Sequence, residues 1–110
     1  LLAPATEVRT SAPRFSTYPV AKEDLALVVD GSVPSADVAA ALLHGGGALV
    51  ESVRLFDVYS GEQVGAGKRS LAFALRLRAA DHTLTPEEVA EARDGALAEA
   101  ARATGATLRA

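Results

Sequence analysis

The sequence predicts an α+β fold, one antiparallel sheet with two helices on a single face, and three observations predict it. Leu71, Phe73, Leu75 and Leu77 alternate with Ser70, Ala72, Ala74 and Arg76, and Leu25, Leu27 and Val29 alternate with Asp24, Ala26 and Val28, the period of half-buried strands. Thr85-Pro86-Glu87-Glu88 reads as a capping box with proline in the first helical position. Gly45-Gly46-Gly47 closes an earlier helical pattern, because glycine accepts the left-handed conformation that ends a helix.

Taken in order, residues 1–17 mix prolines and small polar residues without a sustained period and read as an extended lead-in from an upstream part of a parent chain, with the domain proper at 18–110. The first strand spans Lys22 to Val29 and breaks at Asp30-Gly31. Pro34 suits a first helical turn, and Val38, Ala41 and Leu42 follow at helical spacing, so a helix runs to about His44. Leu49 to Tyr59 is rich in Val, Leu, Phe and Tyr and reads as the second strand. Phe56 and Val58 cannot share a core face with Val53 and Leu55 in a regular strand, so a bulge is expected between them.

The stretch GEQVGAGKRS could pass for a phosphate-binding loop. That motif needs a glycine five places before the Gly-Lys pair, a hydroxyl residue after the lysine, and a helix to follow. Here Glu62 and Arg69 occupy the two key positions and a strand follows, so the glycines close a hairpin. The second helix starts at the Thr85 cap, with Leu84 and Val89 in staple positions, and runs to Gly105. Gly95 in its middle is expected to cost about 1 kcal/mol against alanine. Ala106 to Arg109 supply only a short last strand.

Strand, helix, strand, strand, helix, strand is the split βαβ order of ferredoxin-like folds, a four-stranded antiparallel sheet with both helices on one face. The opposite face stays open. The third strand shows Ser70, Ala72, Ala74, Arg76 and Arg78 there, small in the middle and cationic toward one end, which suits a flat or anionic partner.

Composition narrows the possibilities. With 110 residues there is room for one core, and no apolar run approaches the roughly 18 residues that would span a bilayer. The absence of cysteine removes disulfides and thiolate zinc sites, and histidines 38 positions apart, at 44 and 82, form no helical ligand pair. A soluble, cytoplasmic setting is expected. No methionine occurs, and the chain reads as a piece of a longer one. The net charge is −3, yet residues 49–80 hold five cations against three acids, while residues 81–110 hold six acids and three arginines. The middle third is the basic part. Glu87, Glu88, Glu91 and Asp94 read as a solvated helix face, and His44 and His82 as structural residues whose sequence surroundings suggest no proton relay. There is no catalytic set.

Three blocks, FSTYPVAKEDLALVVD, LVESVRLFDVYSGEQVGAGKRSLAFALRL and DHTLTPEEV, resemble the ferredoxin-fold anticodon-binding domain that ends the beta subunit of bacterial phenylalanyl-tRNA synthetases. The likeness covers about Phe15 to Arg109. It is carried by Pro19, Asp24, Phe56-Asp57, Tyr59, Gly67-Lys68, Ser70-Leu71-Ala72-Phe73 and Thr83-Leu84-Thr85 in the right order and spacing. The resemblance implies a grip on the anticodon stem-loop of phenylalanine tRNA while aminoacylation occurs elsewhere in the enzyme. The remainder of the beta subunit and the alpha subunit would be its other partners, and no cofactor is implied for this segment. It places the RNA contacts at Asp57, Tyr59 and Ser70, with Lys68 and Arg69 beside them. Glu23 departs from the pattern, since members often carry arginine there, and no phosphate contact is assigned to it. The chemistry is apt, because unpaired bases are read by aromatic stacking and by hydrogen bonds to their edges, and lysine and arginine add a sequence-independent phosphate term.

Other readings of the same residues are a rim position for Tyr59 and a turn-capping role for Asp57. At the level of function, an amino-acid-binding regulatory module of this topology would use the turn at Gly31. An acyl phosphatase would need an arginine in the loop Asp30-Gly31-Ser32-Val33, which has none.

Overall fold

The alternation expected of the first and third strands is realised in the computed structural model, which describes residues 7–9 and 18–109. Strand β1 is Glu7–Arg9, β2 is Ala21–Asp30, helix α1 is Ser35–Gly46, β3 is Val50–Tyr59, β4 is Lys68–Leu77, α2 is Pro86–Thr104 and β5 is Thr107–Leu108. The five strands form one antiparallel sheet in the order β1-β3-β4-β2-β5. The four from β2 onward are the ferredoxin-like set.

Leu25, Leu27 and Val29 of β2 and Leu71, Phe73, Leu75 and Leu77 of β4 are buried on one face, where Val38 and Leu42 of α1 and Ala92, Ala96 and Ala100 of α2 cover them. Removing these apolar surfaces from water is the main driving force for the layering. Helix α2 begins as its sequence dictates. The Thr85 hydroxyl accepts from the Glu88 backbone N–H at 3.2 Å and the Glu88 carboxylate accepts from the Thr85 N–H at 3.0 Å. Gly105 ends it in the left-handed region at φ 74°.

Three features differ from the sequence expectations. The lead-in contributes a strand, for Glu7–Arg9 pairs with Ser52–Arg54 at the outer edge of β3. Three residues are too few to show a period, and what recruits them is the otherwise unpaired edge of β3. The rest of 1–17, and Ala110, lie outside the described residues. Helix α1 runs past His44 to Gly46, and Gly47 caps it with positive φ at 74° but with ψ −158°, outside the left-handed helical region. Gly45 and Gly46 are there for proximity: a Cβ on Gly45 would collide with the Gly95 carbonyl, and one on Gly46 with Val50. The expected bulge in β3 exists at Phe56, between Leu55 and Asp57, and the register shifts a second time at Glu51. Val50 and Val53 take the core positions, and Phe56 and Val58 are each 48% exposed.

The glycine-rich stretch is a hairpin connection. A single 3-10 turn, Glu62–Val64, is followed by Gly65-Ala66-Gly67 and then β4, and the Gly67 carbonyl accepts from the Gly31 N–H at 2.7 Å. A strand and not a helix follows this loop, so it lacks the helix N-terminus that completes a phosphate-cradling loop.

Candidate nucleic-acid interface

The uncovered face is organised in rows by the strand register. Tyr59 lies beside Ser70, Ser70 beside Val28, and Val28 beside Thr107. In the next row Asp57 lies beside Ala72 and Ala72 beside Ala26, whose carbonyl accepts from the Arg109 N–H at 2.7 Å. One row further, Arg54, Ala74 and Asp24 are aligned. The floor of the face is therefore serine and alanine, low enough for long side chains to lie across it.

Tyr59 is 39% exposed. Its hydroxyl donates to Gln63 Oε1 at 3.4 Å, and its ring stands close to Gly61, where a Cβ would come within 2.8 Å of the phenol oxygen. Any residue larger than glycine at 61 would push the ring from this pose. The Arg109 guanidinium carbon is 5.5 Å from the ring centroid, within cation–π range. Arg109 belongs to the β5 side of the sheet and Tyr59 to β3, with β4 and β2 between them. At about 4.8 Å per strand the two backbones are roughly 14 Å apart. Both side chains therefore lean inward over the small-residue floor. Sequence reasoning passed over Arg109, and only its place in a short last strand hinted at it.

The site residues expected from sequence are placed unequally. Tyr59 and Asp57 share the open face. Asp57 is exposed and has no hydrogen-bond partner among the described residues, so its carboxylate caps no turn and keeps its acceptors. Lys68 is exposed at the hairpin end of β4, beside Asp30. Ser70 lies on the right face but is only 4% exposed, which corrects the expectation of an open serine. Its cross-strand neighbours are Tyr59 and Val28, both larger, and the Tyr59–Arg109 pair leans over it. Arg69 is not with the others. It alternates with Ser70, pairs with Val29 on the helix side, and donates from Nη2 to the Val33 carbonyl ahead of α1. Its Nε is buried without a hydrogen-bond partner among the described residues. Arg76 and Arg78 are not bare cations either, because Glu51 of the bulge approaches them at 3.6 and 3.4 Å.

Charges elsewhere are structural. His82 is flanked by Asp81 Oδ1 at 2.6 Å and Glu88 Oε2 at 2.8 Å, two carboxylates that the sequence reading did not connect with it. Hydrogen bonds to Asp81 and Glu88 raise the imidazole pKa above its ordinary value, and the same bond to His82 lowers Asp81. Glu88 is lowered first by the Thr85 backbone N–H and then by His82. The ring thus ties the 81–84 approach to the start of α2. His44 stands 3.6 Å from Glu99 across the helix pair, and Glu23 takes Arg93 at 3.5 Å. Asp30 is lowered by the backbone and side chain of Ser32, which close the turn after β2. Among the described residues no cluster of three His, Cys, Asp or Glu could hold a metal ion, and no helix is long and apolar enough to cross a membrane.

Comparison with known proteins addresses the same region. A family described as the ferredoxin-fold anticodon binding domain matches residues 16–109. A phenylalanine–tRNA ligase beta subunit from Thermobifida fusca is 62% identical over 105 residues, covering 96% of this chain and 13% of the relative. The same subunit from Streptomyces avermitilis is 67% identical over 97 residues, 88% of this chain and 12% of the relative, and that from Mycobacterium leprae is 47% identical over 98 residues, 89% and 12%. The chain spans about an eighth of the length of these curated relatives.

Proposed function

The chain belongs to the ferredoxin-fold anticodon-binding domain family, and from that premise we propose that its open sheet face binds the anticodon stem-loop of phenylalanine tRNA. In this reading the chain serves a cytoplasmic phenylalanine–tRNA ligase as part of the beta subunit. Ligation takes place in other parts of that enzyme, which include the rest of the beta subunit and an alpha subunit. The observation that carries the reading is Tyr59, a half-exposed ring over a floor of serine and alanine, with the unpartnered Asp57 carboxylate in the adjoining row.

An unpaired base stacks on Tyr59, and its amino groups donate to Asp57, the arrangement by which single-stranded RNA is read. Arg109 forms the second wall of the slot. A guanidinium is planar and stacks on bases as well as on phenols, so it can exchange the ring for the base or sandwich it. Lys68 adds a phosphate contact at the hairpin end. Arg69 holds the β2–α1 connection through Val33 and stays on the helix side. The rival regulatory module would need the turn at Gly31, where the Gly31 N–H is already engaged by the Gly67 carbonyl.

Titration calorimetry with a phenylalanine tRNA anticodon stem-loop and, separately, with free phenylalanine tests the proposal. Heat is expected from the RNA alone, and Tyr59→Ala is expected to weaken RNA binding by about 1–3 kcal/mol, the usual worth of one stacking ring. Heat from the amino acid alone would transfer the chain to the regulatory reading. Equal RNA affinity for Tyr59→Ala and the parent would remove the stacking role.

A further inference from the structure

We propose a second contact surface at the far end of the same face, where Lys22, Arg54 and Arg76 hold backbone phosphates of the RNA's duplex stem; this rests on the stem-loop reading above. The register brings these cations together from three adjacent strands, since Lys22 of β2 pairs with Arg76 of β4, and Arg54 of β3 pairs with Ala74, two residues before Arg76. They line a cavity of about 110 Å³ together with Ala74, Leu75 and the Asp24 carboxylate. A phosphate oxygen can enter such a hollow, and a flat apolar group gains little there.

Charge favours an anion. Lys22, Arg54, Arg76 and Arg78 face Asp24 and Glu51 at this end of the face, a surplus of two cations on a chain whose net charge is −3. In register, the edge strand sets Glu7 opposite Arg54 and Arg9 opposite Ser52. Lys22 and Arg54 are exposed, and neither takes part in an ion pair with another residue of 18–109. Arg76 shares Glu51 with Arg78, which holds its guanidinium over the face rather than neutralising it outright.

Distance selects the class of ligand. Ser70, beside Tyr59, and Arg76 are six positions apart on β4, about 20 Å at the usual rise of a strand. A mononucleotide or an amino acid cannot reach from one to the other. A stem-loop can, placing loop bases at Tyr59 and the paired strand's phosphates at the cations. Asp57 lies between the two zones and favours base amino groups there over phosphates.

The test measures binding of the 110-residue chain to the stem-loop and to the unpaired loop strand alone, each across a salt series. Duplex phosphate contacts each add about 0.9 to the slope of log affinity against log salt. The triple variant Lys22→Gln, Arg54→Gln, Arg76→Gln is expected to bind the stem-loop at least tenfold more weakly, with a slope about 2–3 smaller, and to bind the loop strand like the parent. Lys22→Gln and Arg54→Gln singly are each expected to lower the slope by about 1. Tyr59→Ala, by contrast, should weaken both RNAs equally without changing the slope. An unchanged stem-loop slope in the triple variant overturns the inference and leaves the Tyr59 reading standing, as does an equal loss on the loop strand. Failure of the parent to bind either RNA overturns both.

Discussion

Gly95→Ala sets two effects of opposite sign against each other, and the structure decides between them. Alanine is favoured over glycine inside a helix by about 1 kcal/mol, so helix propensity alone makes the variant more stable. A Cβ on Gly95, however, would lie 2.6 Å from the carbonyl oxygen of Gly45 on the facing helix. An unstrained carbon–oxygen approach is about 3.3–3.6 Å, so the helices must part by roughly 0.7–1 Å. A gap of that order forfeits a quarter to a half of each dispersion contact along the seam, which includes Leu42, Ala96 and Ala100. Overpacking costs about 1–3 kcal/mol, and the upper part of that range applies because backbone cannot rotate aside. The net expectation is a loss of about 1–2 kcal/mol after the propensity gain. Urea denaturation at constant m-value measures it, with Ala98→Gly on the exposed side of α2 as the propensity control. A Gly95→Ala variant as stable as the parent, or more stable, would refute the backbone contact between α1 and α2.

Phe73→Ala empties the centre of the core, where Phe73 is 0% exposed, and is expected to destabilise the chain by about 3–5 kcal/mol in the same urea assay. A smaller loss than that of an ordinary surface substitution would show that the core does not close around this ring. The contact of His82 with Glu88 predicts a pH window. The raised imidazole contributes stability below its ordinary value of 6.5 and loses it as pH rises through the folded-state value. The lowered Glu88 contributes above its ordinary 4.5 and loses it as pH falls through its own. The contribution is therefore largest between these values, and His82→Ala should flatten the decline in stability that thermal melts of the parent show as pH rises past the ordinary imidazole value of 6.5. Parallel curves for the two proteins would remove His82 from the account of α2's start.

What the sequence disclosed about this fold is what local periods and caps can carry. The alternation of Leu71 to Leu77 fixes which side of β4 is buried, and Thr85 with Glu88 fixes where α2 begins, because each depends on residues within a turn or two. Partners distant in sequence left no such trace. Arg109 reaches Tyr59 only because β5 and β3 flank the same narrow floor, and Gly45 meets Gly95 only because two helices cross there. Glycine in mid-helix was the available signal for that crossing, since its propensity cost needs a compensating reason such as a close backbone approach.

Arg69 is a different case, because the signal was present and local. If Leu71 and Phe73 face the core, strict alternation puts Arg69 on their side and Lys68 and Ser70 on the other. Three consecutive residues of a strand cannot all meet one partner across one face. The same parity argues for the surface proposed at Lys22, Arg54 and Arg76. Each lies in the row pattern of Ser70, Ala72 and Ala74, and none shares the face of Leu75. Tyr59 and those cations are therefore on one side of the sheet by the geometry of the strands themselves. A single extended ligand can touch both zones without bending around an edge, and a partner that engages Arg69 as well would have to enter from the hairpin end past Gly67.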